Sequence, residues 1–265
     1  MNILFPLAAA GSAIAGLWDL KTTEVPDELP VAMSAFGLFY WFVASLFAES
    51  IAPFVLSLLS GLAFLVPGLL LYRAGKWGEA DAWVPASILF MVPVLGNAPI
   101  LFDYAVNFSI VSSAYMIVYS LALGAMNPEV FSLLVKDAKD NKAFHWVVGL
   151  VGVLLVVSLS LGITPEYAFS VFAITSLLAV FWRYALVIEK HVFRKEISSA
   201  QLREGDVLDD MVWRGMTKEE VADIKRKKKK VIIKEGVRFV PVYPITLIMT
   251  AVYGNVIVAV LGGAL

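Results

Sequence analysis

Leu17-Trp18-Asp19-Leu20-Lys21-Thr22-Thr23-Glu24-Val25-Pro26-Asp27 is the stretch whose reading decides the fold. An apolar run of about membrane-spanning length ends in it, and it ends in a carboxylate rather than a neutral cap. An acid at the edge of a bilayer core is costly, so it points to a partner or a function. A second such place, Gly75-Lys76-Trp77-Gly78-Glu79-Ala80-Asp81, follows another apolar run and precedes a third. The chain reads as a scaffold that holds Asp19 and Asp81 together.

The 265 residues are 60% hydrophobic, with a mean hydropathy of +0.80, far from the roughly half-apolar composition of a soluble domain. That composition describes a polytopic membrane protein. Cysteine is absent, which excludes disulfides, thiolate zinc sites and a cysteine nucleophile. His145 and His191, the two histidines, fall at expected helix ends and read as packing or interfacial residues. The first apolar run has no basic residue before it and continues into the Asp19 stretch, so it reads as a retained helix rather than a signal peptide.

A bilayer core of about 30 Å takes roughly 17 to 25 apolar residues per helix. Eight segments approach that criterion: Ile3 to Trp18, Pro30 to Phe47, Pro53 to Tyr72, Ala82 to Gly96, Tyr104 to Met126, Phe144 to Ile163, Pro165 to Ile188 and Val240 to Gly262. The expected fold is an all-α polytopic membrane protein, a bundle of about six to eight transmembrane helices with a small cytoplasmic insert before the last one. Its parts are a first bundle carrying both acids over 1–126, an interfacial loop and helix over 127–143, a helical hairpin over 144–188, a soluble segment over 189–239 and a last helix over 240–265. The fourth candidate carries Pro85 and Pro93. Prolines in such a helix require neighbours that resatisfy the freed carbonyls, so it belongs inside the bundle. In the first helix Ala8, Ser12 and Gly16 recur at four-residue spacing near the face of Asp19, which permits close helix approach on the side that presents the acid.

If the chain alternates sides through eight spans, Lys21, Arg73 with Lys76, Lys136 with Lys139 and Lys142, and the segment from Lys190 to Arg238 fall on one side. The links on the other side, around Glu49, Asn97 to Asp103 and Thr164 to Glu166, hold no Lys or Arg. The positive-inside rule then puts both acids at the cytoplasmic face of the cell membrane and both termini outside. Asn127-Pro128-Glu129 resembles a helix start with Asn as cap, and Val130 to Ala138 is amphipathic, as in an interfacial helix. Thr217-Lys218-Glu219-Glu220 has capping-box spacing and opens a helix running into Arg226. Val231-Ile232-Ile233 reads as a short strand. The basic run Arg226, Lys227, Lys228, Lys229, Lys230 is either a topology signal on a solvated helix end or a site for anionic lipid.

Two carboxyl groups close together do not both ionise cheaply, so one keeps a proton near neutral pH while the other acts as base. Such a dyad activates a water for attack on a peptide carbonyl, and its protonated member hydrogen-bonds the developing oxyanion. This chemistry calls for no metal and no cofactor. Asp81 also has a plainer reading as a helix-capping residue, and Asp19 one as a frayed helix end.

Asp19 followed by Val25-Pro26-Asp27, with Gly78-Glu79-Ala80-Asp81 opening the fourth helix, resembles the Gly-x-Gly-Asp membrane aspartyl peptidases that process type IV prepilins and archaeal preflagellins. The likeness covers mainly residues 1–100. Arg238-Phe239-Val240-Pro241 leading into Tyr243-Pro244-Ile245-Thr246-Leu247 adds a likeness to the last helix of the archaeal branch. The resemblance implies that Asp19 and Asp81 are catalytic. It also implies that the substrates are membrane-anchored precursors whose short basic leader peptides are cut on the cytoplasmic side, with no nucleic acid involved. Glu24, Asp27, Glu28 and Glu79 flank the expected dyad and either steer a Lys or Arg leader or simply solvate their loops. Ala80 stands where the family usually has glycine, leaving Gly75 and Gly78 to keep the loop mobile. The paired Cys-x-x-Cys zinc loop of the bacterial relatives has no counterpart here, and neither has the Pro-Ala-Leu motif of the presenilin-like branch. The competing reading is a cation- or proton-coupled transporter using the acids as an ion site; such sites tend to lie near mid-membrane on broken helices, often with inverted repeats.

Overall fold

The computed structural model describes residues 3–96, 98–162, 164–209, 215–227, 230–234 and 236–262. The chain is a multi-pass, all-α membrane protein. Six helical segments are long and apolar enough to cross a bilayer: Glu28–Phe47, Ala52–Arg73, Leu101–Met126, Lys142–Ser160, Pro165–Phe193 and Val242–Gly262. Two of the eight expected spans fall outside this set. The first, α1 (Leu4–Thr22), carries Asp19 and Lys21 in its last turns. The fourth expected span, Ala82 to Gly96, is corrected to a shorter helix, Glu79–Met91. At 1.5 Å per residue it rises about 20 Å, short of a bilayer core. Pro93 follows its end, and the chain turns back through β1 (Val94–Leu95) and β2 (Ala98–Pro99), with Gly96 at φ +61.

The chain divides into two compact units. The first comprises residues 1–116, 202–227 and 236–265. Its central rod is the short helix, α4 (Glu79–Met91), packed against α1, α2 (Glu28–Phe47) and α3 (Ala52–Arg73). From Ala82 to Met91 only Trp83 is not buried, as the two prolines require. The reason α4 sits so close is the absence of side chains on its neighbours. A Cβ on Gly68 of α3 would lie 2.7 Å from Cβ of Ala82, and one on Gly61 would fall inside the Phe90 ring. The carbonyls at the end of α4, which have no intrahelical donor, are met from outside: Ser57 Oγ donates to Phe90 O at 2.7 Å and Trp41 Nε1 to Met91 O at 3.0 Å. The buried face of α1 is Leu4, Ala8, Ser12, Ala15, Gly16 and Asp19, the small-residue face read from the sequence.

The first half of α5 (Leu101–Met126) and the C-terminal pair close this unit. The last apolar segment is broken in two, and the break at Gly254, φ +61, is clamped by the fully buried Asn107 of α5. Asn107 Nδ2 donates to Gly254 O at 2.6 Å and to Thr250 Oγ1 at 3.0 Å, while its Oδ1 accepts from Val256 N–H at 3.0 Å. A single amide thus satisfies the backbone that the break leaves open.

The second unit comprises residues 117–201 and 228–235. It contains α6 (Glu129–Asp140), α7 (Lys142–Ser160), α8 (Pro165–Ile188) and β3 (Arg194–Ser198). α6 is amphipathic as expected, but Asn127 does not cap it. The Asn127 amide donates back to Leu123 O at 2.8 Å, and the side-chain cap in this region is Asn141, which accepts from Phe144 N–H of α7 at 2.9 Å. Val130 of α6 packs with Val187 and Ile188 of α8, and Arg183 Nε donates to Asp137 Oδ2 at 2.9 Å. α7 and α8 leave most of their valines and leucines exposed, a surface suited to lipid. His145 Nε2 lies 3.0 Å from Lys139 O, a helix-end contact, and His191 is exposed after α8.

In the soluble segment β4 (Val207–Leu208) precedes α9 (Lys218–Lys227), whose reciprocal capping box is formed as read: Thr217 N–H donates to Glu220 Oε2 at 3.0 Å and Glu220 N–H to Thr217 Oγ1 at 3.3 Å. The expected strand is β5 (Lys230–Lys234), antiparallel to β3 with Lys195 opposite Ile233. β3 was not foreseen, because Arg194-Lys195-Glu196-Ile197-Ser198 lacks an apolar alternation.

Candidate functional site

Both acids are held by one turn at the start of α10 (Val242–Tyr253). Asp19 lies near the C-terminal end of α1, beyond its apolar stretch, and is 5% exposed. Its Oδ2 accepts from Val240 N–H at 3.1 Å. That approach depends on Gly16, one turn earlier, where a Cβ would stand 3.1 Å from Cα of Pro241. Asp81 lies in the first turn of α4, ahead of its apolar stretch, and is half-buried. Its Oδ2 accepts from Gly78 N–H at 3.2 Å, and Tyr243 Oη lies 3.1 Å from its Oδ1 and 3.1 Å from its carbonyl oxygen. Val240 and Tyr243 are joined in the same turn, Tyr243 N–H donating to Val240 O at 3.1 Å. Two acids from distant parts of the chain are therefore anchored three residues apart.

The environment shifts both carboxyls. Burial pushes Asp19 up from 3.8 to about 6, against the opposing pull of the Val240 N–H and the Arg238 charge. Burial likewise pushes Asp81 up to about 6, opposed by the donors Gly78 and Tyr243 and reinforced by the negative charge of Asp19. The charge of one acid thus raises the cost of ionising the other, so the pair titrates as a coupled unit. A proton-holding acid beside an ionised one at near-neutral pH is the state that acid–base chemistry needs.

Tyr243 is fully buried and its ring is fixed. Phe108 stacks on it with centroids 5.7 Å apart, and Phe239 meets it edge-on at 5.9 Å. Arg238 is set by its own backbone, whose carbonyl accepts from the Tyr115 hydroxyl at 2.5 Å.

The plainer reading of Asp81 is realised in part. It is the third helical residue rather than the cap, and one oxygen does serve the N–H of the capping residue Gly78. The other oxygen is spent on Tyr243, which capping does not require. Gly75 has φ +66, a turn that favours glycine. Gly78 differs from the sequence reading. Its backbone is extended, φ −74 and ψ 158, so it needs no special freedom. What constrains it is space, since a Cβ would lie 3.2 Å from Asp81 Oδ2. Ala80 is already helical, so no glycine is called for there.

The four flanking acids are exposed, but they do not gather on the dyad as a set. Asp27 and Glu28 start α2 and Glu79 starts α4. The Glu24 carboxylate lies against Gly205 of the soluble segment. In the basic run, Lys227 pairs with Asp223 at 2.6 Å and Lys230 with Glu196 at 3.1 Å. Arg226 ends α9 with them, while Lys228 and Lys229 lie outside the described residues. Among the described residues no three His, Asp or Glu side chains converge as a metal site would require. A cavity of about 360 Å³ lined by Trp41, Ser50, Pro53, Leu56 and Pro93 lies beyond the far end of α4 from Asp81.

Sequence reasoning found the acids but not their holders. Tyr243, Val240 and Arg238 enter the sequence reading only as part of a family likeness. The available signal was Pro85: a proline four residues after Asp81 frees the Asp81 carbonyl, so some outside donor had to come to it. No family profile, characterised protein or solved structure matches the chain significantly.

Proposed function

We propose that the chain is a membrane aspartyl endopeptidase that cleaves the short basic leader peptide of prepilin- or preflagellin-like precursors. The observation that carries this reading is the anchoring of Asp19 and Asp81 on the single turn Val240–Tyr243. In the working state one acid is ionised and takes a proton from a water, whose oxygen attacks the scissile carbonyl carbon. The other, protonated, donates to the carbonyl oxygen as it becomes an oxyanion. The proton taken by the base then passes to the leaving amine.

The basic loops, on the positive-inside rule, put this end of the bundle in the cytoplasm. Glu24, Asp27, Glu28 and Glu79 then attract the leader's Lys or Arg residues, and its apolar segment rests against the bundle from the lipid side. The run Arg226 to Lys230 meets anionic lipid at the same surface. An ion-transport role is disfavoured by position, because both acids stand at helix ends outside the apolar stretches and not at mid-membrane.

The test mixes purified protein in lipid nanodiscs with a peptide carrying a basic leader and an apolar segment, read by mass spectrometry. A cut just before the apolar segment is expected, with Asp19→Asn and Asp81→Asn each losing about 10² to 10⁴-fold in rate. Absence of cleavage by the native chain, or undiminished cleavage by either variant, rejects the reading.

A further inference from the structure

Asp81 stands four residues before Pro85 inside the same helix. In an α-helix the carbonyl of residue i receives the N–H of residue i+4, and proline has none. The Asp81 carbonyl therefore lacks its intrahelical donor, and the Tyr243 hydroxyl stands in at 3.1 Å. The same hydroxyl lies 3.1 Å from Oδ1 of the same residue. One proton faces two acceptors at equal distance, of which one is a fixed neutral carbonyl and the other a group whose charge changes. Because the ring is locked between Phe108 and Phe239, only the hydroxyl hydrogen has to move. A buried hydroxyl is costly without an acceptor, and this one always has one.

We infer that Tyr243 is a positioning residue that follows the charge of Asp81, donating to Oδ1 while Asp81 is a carboxylate and returning to the Asp81 carbonyl, kept open by Pro85, once Oδ1 is protonated. The use of this device rests on the proteolytic reading, but its geometry does not. It also separates the roles of the two acids. Asp81 has a donor on each oxygen, Tyr243 on Oδ1 and Gly78 on Oδ2, whereas Asp19 has a single N–H on Oδ2. Donors favour the ionised form, so Asp81 is the base that takes the proton of the attacking water, and Asp19 is the acid that holds one at rest. The titratable groups acting on Asp81 are Tyr243 from α10 and Asp19 from α1, with Arg238 acting on Asp19. On the α3 side Ala82 meets Gly68, and α2 meets α4 at the Met91 end through Gly37.

The experiment titrates the carboxyl stretch of Asp81 by infrared difference spectroscopy, with the full chain in nanodiscs. An Asp19→Asn background removes the coupled acid, and the Asp19→Asn, Asp81→Asn double variant serves as the blank. Tyr243→Phe removes a donor to the carboxylate and is expected to raise the midpoint by about 1 to 2 pH units. Pro85→Ala gives the carbonyl its own N–H, dedicates the hydroxyl to Oδ1 and is expected to lower the midpoint. Opposite shifts support the inference. An unmoved midpoint, or shifts in the same direction, overturns it, since a packing role predicts no such opposition. If Tyr243→Phe does not fold, Pro85→Ala decides alone, with a lowered midpoint in favour and any other result against. Where the native chain cleaves a leader peptide, the acidic limb of its rate follows the same two shifts. Opposite shifts in a chain that cleaves no leader keep the Tyr243 inference and reject the protease.

Discussion

Gly68→Ala tests whether the approach of α3 is what seats Asp81. The added Cβ would lie 2.7 Å from Cβ of Ala82 and 2.8 Å from its Cα. Non-bonded carbons rest at about 3.5 to 4.0 Å, so the two helices have to part by roughly 1 Å. α4 has little room to retreat, because at its other end Phe90 lies over Gly61 and the Met91 backbone lies against Gly37. The displacement therefore falls on the first turn, where Ala82 adjoins Asp81. A bond of 3.1 Å from Tyr243 stretched by that amount is no longer a hydrogen bond. The expected stability loss is that of overpacking, about 1 to 3 kcal/mol, and a 1 Å misplacement of a reacting group costs on the order of 10²-fold in rate. Unfolding in mixed micelles and leader-peptide cleavage measure the two effects. Ala82→Gly removes the struck atom at a propensity cost of about 1 kcal/mol, so the double variant should recover most of both losses. Gly152→Ala, with nothing within 4 Å of its Cβ, should be neutral. Native behaviour of Gly68→Ala, or simple addition of the two losses in the double variant, would refute the reasoning.

Stability should fall as pH rises from about 4 to 6 and then level off. Both acids have folded-state values near 6 against 3.8 for the free side chain, so in that window the folded chain binds more protons than the unfolded one. The upper limit is about 3 kcal/mol per group. Melting temperatures at pH 4, 5, 6 and 7.5 should show the decline, and Asp19→Asn or Asp81→Asn should flatten it; a rise through the window contradicts the burial argument. Asn107→Leu should cost about 3 kcal/mol, because it leaves the Gly254 carbonyl and Val256 N–H unpaired in a buried site. Ser109→Ala, on an exposed face of the same helix, should stay within about 0.5 kcal/mol, and equal stability of the two variants would remove the clamp.

The long apolar helices were legible because hydrophobic length is a local property. Phe144 to Ile163 and Pro165 to Ile188 were read within a few residues of α7 and α8, since nothing but composition and the Pro165 turn decides where they begin. α4 was misjudged in length for the same reason. Its sequence stays apolar through Leu95, yet the helix stops at Met91, because Pro93 removes the donor for the Leu89 carbonyl and the following residues find strand partners in Ala98 and Pro99. The misplaced cap at Asn127 is a failure of another kind. An Asn before a Pro-Glu pair serves equally to end the preceding helix, and its amide went to Leu123.

The acids were legible because charge beside an apolar run is conspicuous, whereas their holders were not, because a tyrosine or a backbone N–H in an apolar helix is ordinary until something is known to face it. What links the two is Pro85. A proline inside a buried helix creates a demand, one carbonyl in need of a donor, and the demand is readable from sequence; the supplier, 162 residues away, is not. Of the polar donors that the last helix offers, Thr246 and Thr250 are spent on carbonyls of their own helix four residues back. Tyr243 is the one whose hydroxyl reaches beyond its own turn. The same proline that prevents α4 from being a regular helix thus selects which residue of α10 meets Asp81, and a search for prolines four residues after an interfacial acid is a way to find such pairs before any coordinates exist.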